Sequence, residues 1–401
     1  LPNYFISSDN STELASQSVN LHVPVSALAP GRTVELVVTR REAVSGDQLP
    51  FRRTFLSAGY ATERAAVVVE APTDQFRYQV FNDPRVVTLP GATAFLADHR
   101  PDWPSEPMQA PAAKFLPMVV FGGSKSDWAS LGHEYLKIIA DRLAIPDSVR
   151  TLAKSLAGDQ TDPVALVRTI ATYVQKEYGY RAIAFGPRAQ VPTPTTDIVA
   201  ARFGDCKDHS LLFVQLLQSL NIPADLVLVS SGSPVIEEIP SLLQFNHMIA
   251  RVPSLGLYVD LTDKYIDPLL QPPFALNAQL GLVLDPAAPS LQRLPDYPKP
   301  SGTCHIEREV EASGRDLLIT EKLTLTGLST GWLRDSVQVP QDKLVDELSA
   351  LYTPIGAQLL EVAASGADDT SKPLEVTTKY RVPGALTDVG GHTAVTLPYV
   401  L

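Results

Sequence analysis

Cys206, His247 and Asp260 follow one another along the chain, and these three residue types together can open an amide bond. Cys206 stands in Arg202-Phe203-Gly204-Asp205-Cys206-Lys207-Asp208-His209, ahead of Leu211, Leu212, Val214, Leu216, Leu217 and Leu220 at helical spacing. Gly204 supplies a backbone bend. Asp205 is a helix-capping residue, and Asp208, three positions on, supports the first turn. Asn221 and Pro223 end the helix, and a short loop and a strand follow up to Val229. Cys206 therefore falls in the first turn, beside unpaired N–H groups and the positive end of the helix dipole. That setting favours thiolate over thiol and lowers the cysteine pKa. The same N–H groups can hold a developing oxyanion.

A thiol in this position needs a base. Phe245 to Val252 reads as a strand with His247 near its start; Gly256 breaks the run and Leu257 to Thr262 returns. In such a hairpin His247 and Asp260 stand side by side, and an imidazole between a thiol and a carboxylate suits nucleophilic acyl transfer. His209, one helical turn from Cys206, is the rival base, but a residue on the same helix points along that face rather than across a cleft. Lys207 reads as a solvated side chain, with the thiolate as its alternative partner. Zinc on Cys206, His209 and His247 would need a fuller ligand set, and there is no Cys-x-x-Cys pair. Calcium loops and phosphate-cradling glycine motifs are absent as well, so no metal or cofactor is expected. The plain alternative for Cys206 is a small buried core residue. The polar run from Asp205 to His209 fits a wholly apolar pocket poorly.

Gly-Asp-Cys-Lys-Asp-His at 204–209, Phe-Asn-His at 245–247 and Asp-Leu-Thr at 260–262 resemble the three motifs of the transglutaminase-like superfamily. They are most similar to its bacterial branch, in which a β-rich domain of unknown function precedes the core. The family usually has Asp-Pro-Thr at the third motif; Leu261 replaces the proline and leaves Asp260 and Thr262 in place. The resemblance covers residues 30–290. It implies a papain-like fold and a Cys206-His247-Asp260 triad, and it does not imply one substrate, since relatives include cross-linking enzymes, proteases, amidases and inactive members. It also implies an aromatic residue upstream of the cysteine at the oxyanion site. Tyr180 is that candidate, with a packed tyrosine as the alternative, and Asp205 is a second oxyanion or groove candidate. Arg181, Phe185 and Arg188 are candidates for the groove wall.

A chain of 401 residues exceeds one ordinary core, so two or three domains are expected. With 45% hydrophobic and 19% charged residues it has the balance of a soluble globular protein. Its 34 prolines point to many β-edges and turns rather than long helices. A net charge of −11 argues against nucleic acid or an anionic membrane as partner, and no apolar run approaches the ~20 residues of a membrane span. A protein or peptide substrate remains, with oligomeric state left open. Two cysteines in so long a chain do not make a stapled scaffold, although a Cys206–Cys304 disulfide is the plain alternative. Cys304, flanked by alternating polar residues, reads as a buried strand residue.

The expected fold class is α+β: a papain-like transglutaminase core flanked by two β-sandwich-like domains. Residues 1–112 read as the N-terminal β-sandwich, with strands at 19–25, 33–39, 65–69 and 76–81 and turns at 30–31, 45–47 and 72–74. Residues 84–127 read as an irregular proline-rich connection, with one strand at 118–121; Trp103 and Trp128 are either packing or cleft residues. Residues 113–295 make the core, with helices over 128–178. The polar segment from Ser230 to Pro240 is a loop suited to rim the site, and prolines 268, 272, 273, 286 and 289 mark an extended exit. Residues 296–401 make a C-terminal β-rich domain: a hairpin around Ser313-Gly314-Arg315, a helix at 341–352, then strands at 359–363 and 374–382. The function expected is cysteine-dependent acyl transfer on amides, chiefly hydrolysis as a protease or amidase. Glutamine cross-linking and a dormant binding scaffold are the alternatives. The chain opens at Leu1 without a signal peptide; relatives with this domain order place it in the periplasm or cell envelope.

Overall fold

The computed structural model of the protein describes residues 5–8, 19–22, 24, 29–35, 37, 49–57, 59–104, 106, 109–181, 190–270, 276–296, 301–395 and 397. Strands β1 (Phe5–Ser8) and β2 (Val19–His22) form an antiparallel pair. Next come β3 (Arg52–Phe55), β4 (Thr62–Val69), β5 (Phe76–Phe81), β6 (Arg85–Leu89), β7 (Ala92–Arg100) and β8 (Met118–Gly123). They assemble as two three-stranded antiparallel sheets, β3-β8-β5 and β4-β7-β6. Phe76 and Val119 from one sheet meet Val69, Phe95 and Ala97 from the other in a shared core. The hairpin β6–β7 occupies part of the stretch expected to be irregular. Its signal is plain in retrospect: Pro90-Gly91 is a two-residue turn between valine- and alanine-rich runs, and Gly91 takes φ +72°. Strand β8, expected with the core, is bonded between β3 and β5 instead. Of the strand expected at 33–39, residues 33–35 and 37 are described and lie outside any strand, and the 45–47 turn lies outside the described residues.

The core follows. Helices α1 (Trp128–Ile138), α2 (Asp147–Ala157) and α3 (Pro163–Glu177) lead to β9 (Gly179–Tyr180), α4 (Thr195–Ala201), β10 (Phe203–Gly204) and α5 (Cys206–Ser219). Helix α3 starts as its sequence dictates, with Pro163 in the first turn and Asp162 accepting the Ala165 N–H at 2.8 Å. Strands β11 (Asp225–Val229), β12 (His247–Val252), β13 (Leu257–Val259), β14 (Leu280–Val283) and β15 (Ser290–Arg293) form one antiparallel sheet in the order β13-β12-β11-β14-β15. Helix α5 is the axis of this domain. Every residue from Lys207 to Leu217 is buried, so the helix is enclosed on all sides rather than amphipathic. Its polar members are matched in place: Ser210 Oγ donates to the Met248 carbonyl, and Gln215 accepts from Thr195 and donates to the Arg142 carbonyl. No helix among the described residues is long and apolar enough to cross a membrane.

The C-terminal region comprises β16 (Gly302–Ser313), β17 (Asp316–Gly327), α6 (Gly331–Ser336), α7 (Leu344–Tyr352), β18 (Gln358–Ser365), β19 (Leu374–Val382), β20 (Leu386–Val389) and β21 (His392–Val395). The first four strands make a single sheet, β16-β17-β19-β18, and β20–β21 form a separate pair. Leu323, Leu325, Val362 and Val376 of the sheet pack on Leu333, Leu344 and Leu348 of α6 and α7. Two helices thus cover the apolar face that a second sheet would cover in a sandwich. The period-2 burial along β17 fits this arrangement: one row of side chains is buried and the alternate row lies nearer solvent.

Candidate active site

The first turn of α5 is fixed by its own sequence. Asp205 accepts from the Lys207 N–H (3.2 Å) and the Asp208 N–H (3.4 Å), while Asp208 reaches back to the Asp205 N–H (3.2 Å), which is a complete capping box. Asp208 also accepts from the Thr193 N–H at 2.7 Å, tying the turn to the segment before α4. Gly204 is required here because a Cβ on it would lie 2.6 Å from the Asp208 Cβ. Cys206 is thereby held at the helix start, half-buried and with a free thiol. The cap engages the second and third amides of the turn, so the Cys206 N–H is the first-turn amide that Asp205 leaves uncapped. This narrows the expectation of several helix-start donors to one.

His247 opens β12, and Asp260 lies one residue past β13. The β12–β13 ladder pairs Ala250 with Val259, so Asp260 is on the same sheet face as His247 and diagonal to it. The diagonal is closed by a hydrogen bond: His247 Nε2 donates to Asp260 Oδ2 at 2.7 Å. The other carboxylate oxygen accepts from the Thr262 N–H (2.8 Å) and Thr262 hydroxyl (2.7 Å), which fixes the acid's orientation. Burial works against the charge on both partners. For His247 it is outweighed by hydrogen bonds to Asp260 and Cys206 and by their negative charge, which push the imidazole up to about 10. For Asp260, His247 and Thr262 overcome burial and hold the carboxyl below its ordinary range. Cys206, His247 and Asp260 thus form one connected set.

Tyr180 joins it from a distant part of the chain. Strands β9 and β10 pair in parallel with Gly204 opposite Tyr180, and the Arg181 N–H donates to the Gly204 carbonyl at 2.8 Å. Tyr180 and Cys206 line the same cleft. Partial burial and the neighbouring Cys206, Asp205 and Asp260 raise the phenol's pKa and keep it protonated. The cleft is open, about 340 Å³ in volume, and is lined also by Tyr135, Asp205, Lys207, His247 and the segment before β12. Tyr135, legible in the sequence only as one member of a helical stripe, donates to the Gln190 carbonyl at 2.5 Å. The loop between β11 and β12 rims the cleft with Leu242, Leu243, Phe245 and Asn246. The apolar residues directly ahead of His247 were the available signal for this wall.

Other side chains depart from expectation. Lys207 is buried and ion-paired with Asp205 instead of solvated, because the second helical position folds it back over its own cap. Asp205 is therefore the helix cap and one of the residues lining the cleft. His209 is buried between the rings of Tyr178 and Tyr180, and its Nδ1 donates to the Leu261 carbonyl at 3.3 Å. Burial lowers its pKa. Cys304 is exposed on the edge strand β16, not buried. Trp128 packs against Phe245 behind the rim, with ring centres 5.8 Å apart, and Trp103 packs on Phe115. Arg181 stacks over Phe203; Phe185, Arg188, Pro272 and Pro273 lie outside the described residues.

Residues 150–236 match the model of the transglutaminase-like superfamily. The matched span runs from α2 into the rim loop; it includes Cys206 and stops before His247. Among solved structures, a candidate protease from Parabacteroides distasonis aligns over 84% of this chain and 69% of its own, at 11% identity and a TM-score of 0.47. A candidate cysteine protease from Cytophaga hutchinsonii aligns over 54% of this chain and 74% of its own, at 11% identity and a TM-score of 0.24. No curated protein matches the chain.

Proposed function

Taking the core as a transglutaminase-like domain, we propose that the protein hydrolyses amide bonds through a Cys206 thioester. The observation that carries this reading is the His247 Nε2–Asp260 hydrogen bond at the edge of an open cleft that Cys206 and His247 line together. A His247 held cationic beside the sulfur favours a thiolate–imidazolium pair. The thiolate attacks the amide carbonyl. In this reading the Cys206 N–H and the Tyr180 hydroxyl receive the oxyanion, and the phenol's raised pKa keeps its proton available for donation. His247 then gives its proton to the leaving amine, and the C–N bond breaks. Water enters, loses a proton to His247 and releases the acid and the free thiolate. Asp260 fixes which imidazole nitrogen faces the sulfur and stabilises the cation.

The first test is alkylation of Cys206 by iodoacetamide across pH, read by peptide mass spectrometry, beside hydrolysis of a mixed peptide pool. Fast labelling well below the ordinary thiol pKa of about 8.5, slowed in His247→Ala, supports the reading. Labelling that tracks an ordinary thiol and ignores His247→Ala sinks it. Adding a primary amine to the pool separates the acceptors: an amine-linked product in place of acid makes the same thioester a cross-linking intermediate.

A further inference from the structure

Resting on that amide-cleaving reading, we infer that the cleft selects acyl donors with a large aliphatic or aromatic side chain beside the scissile carbonyl, over charged or small polar ones. The wall next to Cys206 is built from Leu228, Leu242, Leu243, Phe245 and Met248. Leu228 and Met248 are core residues at the cleft floor; Leu243 is 59% exposed at its mouth. An exposed leucine by itself is ordinary. This one is held in place. Its neighbour Gln244 is buried, accepts from the Ile236 N–H (2.7 Å) and donates to the carbonyls of Ile236 (3.0 Å) and Ile239 (2.7 Å). Phe245 on the other side rests against Trp128, whose indole N–H donates to the Glu237 carbonyl at 2.8 Å. Leu243 is therefore presented to the cleft by a braced loop.

The charges point the same way. Among the described residues lining the cleft, the ionisable acid and base groups are already matched: Asp205 with Lys207, and His247 with Asp260. A charged substrate side chain entering here would lose water without gaining a counter-ion. A volume of about 340 Å³ suits one side chain with its adjoining backbone. That side chain belongs to the acyl half. The acyl half stays attached to Cys206 through both steps, whereas the amine half must leave so that water can enter.

The test uses the full chain and N-acetyl aminoacyl chloromethyl ketones of Leu, Phe, Asn, Asp and Lys. In each the thiolate forms a C–S bond and chloride leaves, so the side-chain preference is read without turnover. Rates of Cys206 modification are divided by the same variant's iodoacetamide rate. The Leu and Phe reagents should exceed the Asn, Asp and Lys reagents by about tenfold or more, and Leu243→Asp, at an exposed position, should collapse that ratio. Ratios within about twofold across the set, a preference that survives both Leu243→Asp and Leu242→Ser, or no modification by any ketone where iodoacetamide reacts, each overturn the inference. Those results are distinct from failure of the catalytic reading, which shows as an iodoacetamide profile insensitive to His247→Ala.

Discussion

Among the buried acid–base pairs of this chain, His247–Asp260 and Arg308–Glu321 sit in different regions, and of these two the first meets the cleft. In the core, His247 and Asp260 are mostly buried, with side chains 13% and 6% exposed, and His247 lines the cleft together with Cys206. In the C-terminal sheet, Arg308 Nε donates to Glu321 on the neighbouring strand, and Glu321 is fully buried. Tyr380 adds a hydroxyl to the same carboxylate at 3.4 Å, and the Tyr352 ring closes over Tyr380 at 5.0 Å between centres. Both pairs replace solvation by mutual contact. At the second, the buried Glu321 lies beside the rings of Tyr380 and Tyr352, and among the described residues no cysteine contacts it. A buried ion pair on its own says little about function. A reactive third group and a path for substrate turn such a pair into a site.

The comparison breaks most sharply at His247. Removing a general acid–base of this kind costs on the order of 10³-fold in amide turnover, or about 4 kcal/mol. His247→Ala should show that loss while the protein remains folded, with turnover measured on a peptide that wild type cleaves. The pH dependence follows from the directions of the two pKa values. His247 lies above its usual 6.5, so its pairing adds stability that is complete below about 6.5 and is lost as pH rises through about 10. Asp260 lies below its usual 3.8, so its contribution is present above that value and fades as pH falls through the lowered one. Amide turnover should therefore fall as pH rises through about 10, where the leaving amine loses its proton donor, while alkylation of Cys206 persists. A turnover that keeps rising past that point contradicts the assignment of His247 as the acid.

At the second pair the expected change is in stability alone. Arg308→Ala leaves Glu321 buried without its cation and should cost about 3 kcal/mol in urea unfolding. Converting both residues, Arg308→Met with Glu321→Leu, should recover most of that, as replacing a buried ion pair by apolar residues of similar volume commonly does. The Cys206 alkylation rate of folded protein should not move in either variant. A change there would mean that the C-terminal sheet is coupled to the cleft.

How far the sequence discloses each region follows from how local its contacts are. The α5 start is encoded within a few residues, Gly204 to Asp208, and the apolar spacing behind it sets the helix, so the setting of Cys206 is legible directly. The His247–Asp260 meeting follows from one hairpin. The buried state of Glu321 does not: its strand neighbours alternate as expected, and only the tertiary cover of Tyr352 and Tyr380 makes its position closed. The sequence marks the Ser230–Pro240 segment as a loop. The residues of the β11–β12 connection that line the cleft are instead Leu242, Leu243, Phe245 and Asn246, just after it, and what braces the loop is not local. Its inner face, Ile236 and Ile239, packs on Met118 and Val120 of the N-terminal sheet, more than a hundred residues earlier in the chain, and Arg53 donates to the Pro234 carbonyl at 2.7 Å. The locally encoded part can be broken locally. Gly204→Ala places a methyl against the Asp208 Cβ and should cost about 2 kcal/mol by overpacking, read in urea unfolding. Alkylation of Cys206 should slow with it, because the cap and the thiol share one turn.

The smallest expected effect tests whether the core pair depends on the group behind it. Thr262→Val keeps the shape and the backbone N–H to Asp260 Oδ1 and removes only the hydroxyl bond. One hydrogen bond to a charged acceptor, with a second donor left in place, is worth about 1 kcal/mol, or roughly fivefold in turnover. Thr262 touches neither sulfur nor substrate in this arrangement; it acts by aiming the carboxylate at the imidazole. Its effect should therefore vanish where the imidazole is gone. Thr262→Val in a His247→Ala background should leave the residual alkylation rate unchanged, and Thr262→Ser should restore wild-type turnover. Equal losses in both backgrounds would place Thr262 outside the pair, as a residue that merely supports the turn after β13. In that case the difference between the two pairs would rest on Cys206 and the cleft alone.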